Sequence, residues 1–136
     1  MKRPHPLAYL LCLLLACQTE DSAPNYNFVQ EGKASYYANS LAGQKTASGA
    51  IYHPDSLTAA HKHLPLGTQI LVINTANDRQ ISLKVNDRGP YHQERILDVS
   101  EKAADSLSFK EEGIVEVIIK ADLPDPIADS LNLMLK

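Results

Sequence analysis

The sequence predicts a mainly β domain, a small barrel of five or six short strands with one or two short helices. Three observations carry this. Residues 80–86 alternate, with Ile81, Leu83 and Val85 on one face and Gln80, Ser82 and Lys84 on the other, the period-2 pattern of a half-buried strand. Residues 68–74 and 113–120 are short apolar runs rich in Ile and Val, which suit buried strands. Turn-forming clusters separate these runs.

The elements follow in chain order. Lys2 and Arg3 precede an almost entirely apolar stretch, residues 7–16. That stretch is shorter than the roughly 20 apolar residues a membrane span needs, but it suits the core of a signal peptide. It ends in Leu14-Leu15-Ala16-Cys17, which reads as a lipobox, with residues 1–16 removed and Cys17 carrying lipid. Cys12 and Cys17 are the two cysteines of the chain. Cys12 leaves with the signal and Cys17 becomes a thioether, so the mature domain folds without a disulfide. Residues 17–31 are mostly polar and without period, a lipidated flexible tether. Residues 32–121 form the barrel domain. Its first strand is expected at 33–38, followed by a hairpin of 68–74 and 80–86 around the turn Ala76-Asn77-Asp78. Asp87-Arg88-Gly89-Pro90 breaks the second strand, and 95–99 resumes extended. Ser100 caps a short helix at 101–107, and 113–120 is the last strand. In the tail, 122–136, Ile127, Leu131, Met134 and Leu135 have helical spacing.

Composition excludes some functions. The chain of 136 residues has a formal net charge of −3, and no basic stripe is visible. Nucleic-acid binding is therefore not expected, because it needs clustered Lys and Arg to neutralise phosphate. His61 and His63 could share one face of a strand and would suit zinc, but no third ligand stands at a familiar spacing. No metal is expected. No cysteine remains as a nucleophile, and no Gly-x-Ser-x-Gly elbow occurs. Carboxylates remain. Asp87 sits where a strand breaks, hence at a rim, and Asp98 lies in an apolar context.

Six blocks then occur in order: Gly32-Lys33-Ala34-Ser35-Tyr36-Tyr37, Lys45-Thr46-Ala47-Ser48-Gly49, Leu57-Thr58-Ala59-Ala60-His61-Lys62, Leu64-Pro65-Leu66-Gly67-Thr68, Val85-Asn86-Asp87-Arg88-Gly89-Pro90 and Arg95-Ile96-Leu97-Asp98-Val99-Ser100. Together they resemble the rare lipoprotein A (RlpA) family over about residues 32–120. The resemblance implies a six-stranded double-psi β-barrel, the fold of expansins and barwins, and a substrate of peptidoglycan glycan strands, often stripped of their stem peptides. It implies a lytic transglycosylase that needs no cofactor. Such an enzyme cleaves the bond between N-acetylmuramic acid and N-acetylglucosamine and closes a 1,6-anhydro ring. Where a glycoside hydrolase needs two carboxylates, one can here serve as acid and then as base.

Carried onto this chain, the resemblance makes Asp87 the catalytic acid/base and His61 a catalytic-site histidine. Tyr37, Thr58, Asn86, Arg88 and Asp98 are expected to bind substrate. Sugar stacking falls to Tyr36, Tyr37, Tyr52 and Tyr91, because the chain has no Trp. Asp87, His61 and Ala50 are expected to line one groove. Each has a plainer rival: Asp87 organising a turn, His61 as a wall residue, Asp98 pairing Arg88 or Arg95. The chain departs from the pattern at Ala50, where active relatives carry glutamate, so a non-catalytic, expansin-like wall-binding module is the alternative. The expected protein is a monomer, anchored to a membrane through Cys17. Gln18 is not the aspartate that retains lipoproteins in an inner membrane, which points to the outer membrane, facing the periplasm.

Overall fold

The computed structural model describes residues 23–136. The expected signal segment, the lipidation site Cys17 and the first part of the tether lie outside them. The elements are β1 (Phe28–Tyr36), a 3-10 turn (Asn39–Leu41), β2 (Thr58–His61), β3 (Gln69–Asn74), β4 (Gln80–Asp87), β5 (Arg95–Val99), α1 (Glu101–Ser106), β6 (Val115–Ala121) and α2 (Asp125–Met134). The six strands close into a barrel in the order β1-β5-β2-β4-β3-β6, with β6 returning to β1. Two pairs, β1–β5 and β2–β4, are parallel, and the others are antiparallel.

The alternating pattern of residues 80–86 is realised as the expected β3–β4 hairpin, with Ile70 opposite Leu83 and Val72 opposite Ile81. Its connecting turn is held by Asn74, whose amide donates to the Leu107 carbonyl while its side-chain oxygen accepts from Ala76 N. Leu83, Val85, Leu97, Val99, Val117 and Ile119 are fully buried. Each buried side chain of this size contributes about 1.5–3 kcal/mol to the driving force for closure. Ser100 caps α1 as its position suggests, its hydroxyl accepting from Ala103 N at 3.3 Å.

Beyond shifts of one or two residues at the end of the first strand and at both ends of the last, two features differ from the sequence reading. The first strand begins at Phe28, not near Lys33, so residues 28–31 belong to the barrel and not to a tether. The cause is a non-local pairing, since Phe28 to Ala34 run antiparallel to β6 from Ala121 to Val115. Asn27 is fixed as well, exchanging hydrogen bonds with both backbone groups of Leu123 and accepting from Asn132 Nδ2 through its carbonyl. Secondly, β2 at Thr58–His61 adds a strand to the expected elements. It is the central strand between β4 and β5. Among the described residues no helix is long and apolar enough to cross a membrane.

Candidate active-site groove

An open groove of roughly 620 Å³ crosses one side of the barrel. The end of β1, the strand β2, the break after β4 and the strand β5 all contribute to it, through Tyr36, Tyr37, Ala60, Asp87, Arg88, Tyr91, His92, Arg95 and Asp98 among others.

Asp87 is the best-anchored group in it. Its Oδ2 accepts from the Tyr37 hydroxyl at 2.7 Å. Its Oδ1 accepts from Ala47 N at 2.8 Å and from Arg88 N at 2.9 Å. The turn carrying Ala47 is built for this contact. Thr46 bonds the Ala50 carbonyl through both its amide and its hydroxyl, at 2.8 Å each. Ser48 N donates to the Asn86 carbonyl. Gly49 closes the turn at a φ of +88°, a backbone region that glycine enters without steric cost. The Tyr37 phenol is pushed far above its ordinary ionisation range, first by burial and then by its bond to Asp87, so it remains a neutral donor.

Arg88 lines the groove but does not pair with Asp87. Its guanidinium Nη1 donates to the carbonyls of His61 and Leu64, at 3.2 and 2.6 Å. Among the described residues no ion pair reaches Asp87. Asp98 lies 3.5 Å from Arg95 Nε, without the geometry of a hydrogen bond, and its Oδ1 is buried and unpartnered. Burial, the largest cause, raises its carboxyl above the usual range, with Arg95 and His92 opposing and Asp87 adding.

The structure thus brings Asp87, Tyr37, Arg88 and Asp98 into one groove with Tyr36 and Tyr91, and leaves His61, Thr58, Asn86, Tyr52 and Ala50 outside its lining. His61 is the clearest correction. Ala60 faces the groove, so its neighbour on an extended strand points the other way, and His61 is 1% exposed inside the barrel. Its Nδ1 accepts from His63 N and Leu64 N at 3.0 Å each, so the proton sits on Nε2 and is donated to Gln30 Oε1 at 2.8 Å. Both ring nitrogens are engaged, and its pKa falls to about 4, by burial first and then by His63, Arg88 and Lys62. It is a neutral structural residue with no free nitrogen for substrate. Thr58, in register with Lys84 nearer the start of β2, and Asn86, next to Asp87 but buried, do not line the groove. Ala50 is on the exposed flank of the Thr46–Gly49 turn, outside the groove lining.

Three of the four tyrosines expected to stack on sugar are turned to structural use. Tyr36 donates to the Lys110 carbonyl and packs edge-on against Phe109, while Tyr37 and Tyr52 lean on each other with ring centroids 4.6 Å apart. Tyr91, 91% exposed at the groove edge, is free to stack. The role of Ala47 was invisible in the sequence because a backbone amide leaves no residue signature. That of Tyr37 depends on a contact across 50 positions.

Among the described residues no cluster of His, Cys, Asp or Glu could hold a metal ion.

The comparisons with known proteins agree on what this barrel is. A family model described as lytic transglycolase, with a double-psi β-barrel domain, matches residues 29–119. The endolytic peptidoglycan transglycosylase RlpA of Neisseria meningitidis serogroup A is 40% identical over 111 residues, covering 79% of this chain and 46% of the relative. That of Rickettsia typhi is 47% identical over 100 residues, covering 71% of this chain and 31% of the relative. The chain therefore spans less than half the length of these relatives. Among solved structures, the Streptomyces papain inhibitor superposes with a TM-score of 0.57 at 21% identity, covering 71% of this chain and 97% of the inhibitor. A mutant Clavibacter michiganensis expansin in complex with cellohexaose superposes with a TM-score of 0.54 at 18% identity, covering 71% of this chain and 52% of the expansin. These last two show the fold alone. The closed mixed barrel is a double-psi β-barrel, and the chain belongs to the RlpA-like lytic transglycolase family.

Proposed function

We propose that this chain is a cell-envelope lytic transglycosylase domain that binds peptidoglycan glycan strands along the groove and cleaves them between N-acetylmuramic acid and N-acetylglucosamine. The observation that carries the reading is Asp87, a carboxylate fixed at the groove by three donors, Tyr37 Oη, Ala47 N and Arg88 N. The names of the curated relatives, endolytic peptidoglycan transglycosylases, supply the reaction class and the glycan substrate.

Asp87 handles protons at the scissile bond. Asp87 in its protonated form gives its proton to the glycosidic oxygen as the bond to C1 breaks. The C6 hydroxyl of the muramic residue then bonds to C1, and its proton passes to the carboxylate left on Asp87. No water enters the product, so the groove has no need to position one. Rigid anchoring of Asp87 is what such a step requires, since a misplacement of about 1 Å can lower the rate about 100-fold.

The test is incubation of the soluble domain with denuded glycan strands, followed by analysis of the released sugars. New 1,6-anhydro ends are the expected result. Binding to the strands without new ends would instead establish the second reading, a non-catalytic expansin-like module. Ala50 favours that reading because it cannot supply the carboxylate that active relatives carry there.

The proposed location is the outer membrane, facing the periplasm, with lipid on Cys17. Two or more acyl chains give stable anchoring. Cys17→Ser should abolish incorporation of a fatty-acid probe and release the protein from the membrane fraction. Equal labelling of variant and wild type would remove the lipid from the proposal.

A further inference from the structure

Asp98 is the second carboxylate of the groove, and its one charged partner is Arg95, whose Nε stands 3.5 Å from Oδ1 without forming a hydrogen bond. Ala60 on β2 is in register with Asp87 on β4 and with Asp98 on β5. The two acids therefore flank one intervening strand, about 10 Å apart at the backbone, with Ala60 between them buried against Tyr37 and Tyr52. All three residues line the groove.

The two carboxylates differ in what surrounds them. Both oxygens of Asp87 accept hydrogen bonds from the protein. Asp98 Oδ1 is buried with no hydrogen-bond partner, and the 17% of its side chain that remains exposed opens on the groove. Burial of an oxygen without a hydrogen bond penalises its negative charge more than Arg95, 3.5 Å away, favours it, and the groove side is free to present an O–H.

We propose that Asp98 is the proton donor to the glycosidic oxygen, while Asp87 is the base that takes the proton of the C6 hydroxyl. This rests on the reading of the groove as a transglycosylase site and divides between two residues the work assigned above to one. The bond between muramic C1 and the O4 of N-acetylglucosamine breaks, its electron pair stays on O4, and O4 takes the proton of Asp98. The muramic O6 forms the new bond to C1, and its proton passes to Asp87. Solvent then reprotonates Asp98 and deprotonates Asp87.

Burial lifts the Asp98 carboxyl most; among its charged and titratable neighbours, Arg95 and then His92 pull it down, and Asp87 adds a smaller rise. The Arg88 guanidinium is directed to the His61 and Leu64 carbonyls, and Tyr37 stays neutral.

The experiment uses two substrates. One is denuded glycan, whose leaving alcohol needs a proton. The other is a muramic-acid-terminated oligosaccharide with a 4-nitrophenyl leaving group, which departs without one. Asp98→Asn should lower anhydro-product release from glycan about 100-fold or more, yet lower nitrophenol release less than about tenfold. Asp87→Asn should lower both alike. In the wild type, the alkaline fall in turnover should appear with glycan and be absent with the nitrophenyl substrate, a comparison that needs no variant to fold. Wild-type turnover by Asp98→Asn on glycan, equal losses on both substrates, or one alkaline limb shared by both, would each overturn the role of Asp98 alone. A wild type that releases no anhydro ends overturns the transglycosylase reading, and this assignment with it.

Discussion

Asp87→Asn should lower the release of 1,6-anhydro products by about 10²–10⁴-fold, the usual loss when a positioned acid or base is removed, while leaving the fold intact. Asparagine has nearly the shape of aspartate and retains one acceptor oxygen. That oxygen can still receive Ala47 N and Arg88 N, the two donors that converge on Oδ1. The new amide would face Tyr37, whose hydroxyl can turn from donating to accepting. The anchoring is thus preserved, and only the capacity to exchange a proton is lost. A thermal melt within a few degrees of wild type, together with the loss of product, is the expected pair of results. Turnover that persists in Asp87→Asn would refute the role of Asp87. Glycan pull-down should be nearly unchanged, which separates loss of chemistry from loss of binding.

The second large effect is on stability at acid pH, and its source is His61. Its pKa is about 4 in the folded state and about 6.5 in an unfolded chain. The unfolded state therefore binds a proton first as pH falls. Stability is complete above pH 6.5 and is lost progressively down to about pH 4, by about 3 kcal/mol in all. The structural reason is local. A proton on Nδ1 would confront the His63 and Leu64 amides, which now donate to it. Against a total stability of roughly 5–15 kcal/mol, such a loss is large. Asp98 acts with the opposite sign, because its raised carboxyl favours the folded state in its protonated form and the benefit fades as pH rises. The difference between proteins isolates the imidazole. Urea midpoints at pH 7 and pH 4.5 should fall further apart in wild type than in His61→Gln. Equal pH dependence of the two would remove His61 as the source.

The residues that folded as their pattern suggests are those whose pattern is local. Ile81, Leu83 and Val85 alternate with polar neighbours, and their strand pairs with the adjacent one in sequence. Ser100 announced a helix because capping involves residues only a few positions apart. The misses are all non-local. Residues 28–31 look like tether because of the four Phe28 alone is buried, and the partner that makes them a strand lies some 90 positions onward. Ala59, Ala60 and His61 are buried consecutively, which erases the alternation that marks a strand. At the site, Asp87 was legible because it stands at a strand break within an ordered set of blocks. His61 is assigned to the site by the family resemblance alone, which carries no information on where its ring points. Only the registry of Ala60 with Asp87 reveals that its neighbour must point into the barrel.

Closure of the barrel by β6 has a consequence for how the chain matures. The first strand borders β5 and β6, and the third borders β4 and β6. Neither can complete its hydrogen bonding until residues 115–121 are available. Contacts of such long sequence separation form slowly, so an emerging chain carries unpaired strand edges for most of its synthesis. If the chain is exported as proposed above, that delay keeps it unfolded for threading through a translocation channel. The same design makes the last strand a quality checkpoint. A chain cut before residue 115 keeps two open edges, and open edges recruit strands from other molecules. Truncated products should therefore be sticky and short-lived, whereas the finished barrel presents no edge at all.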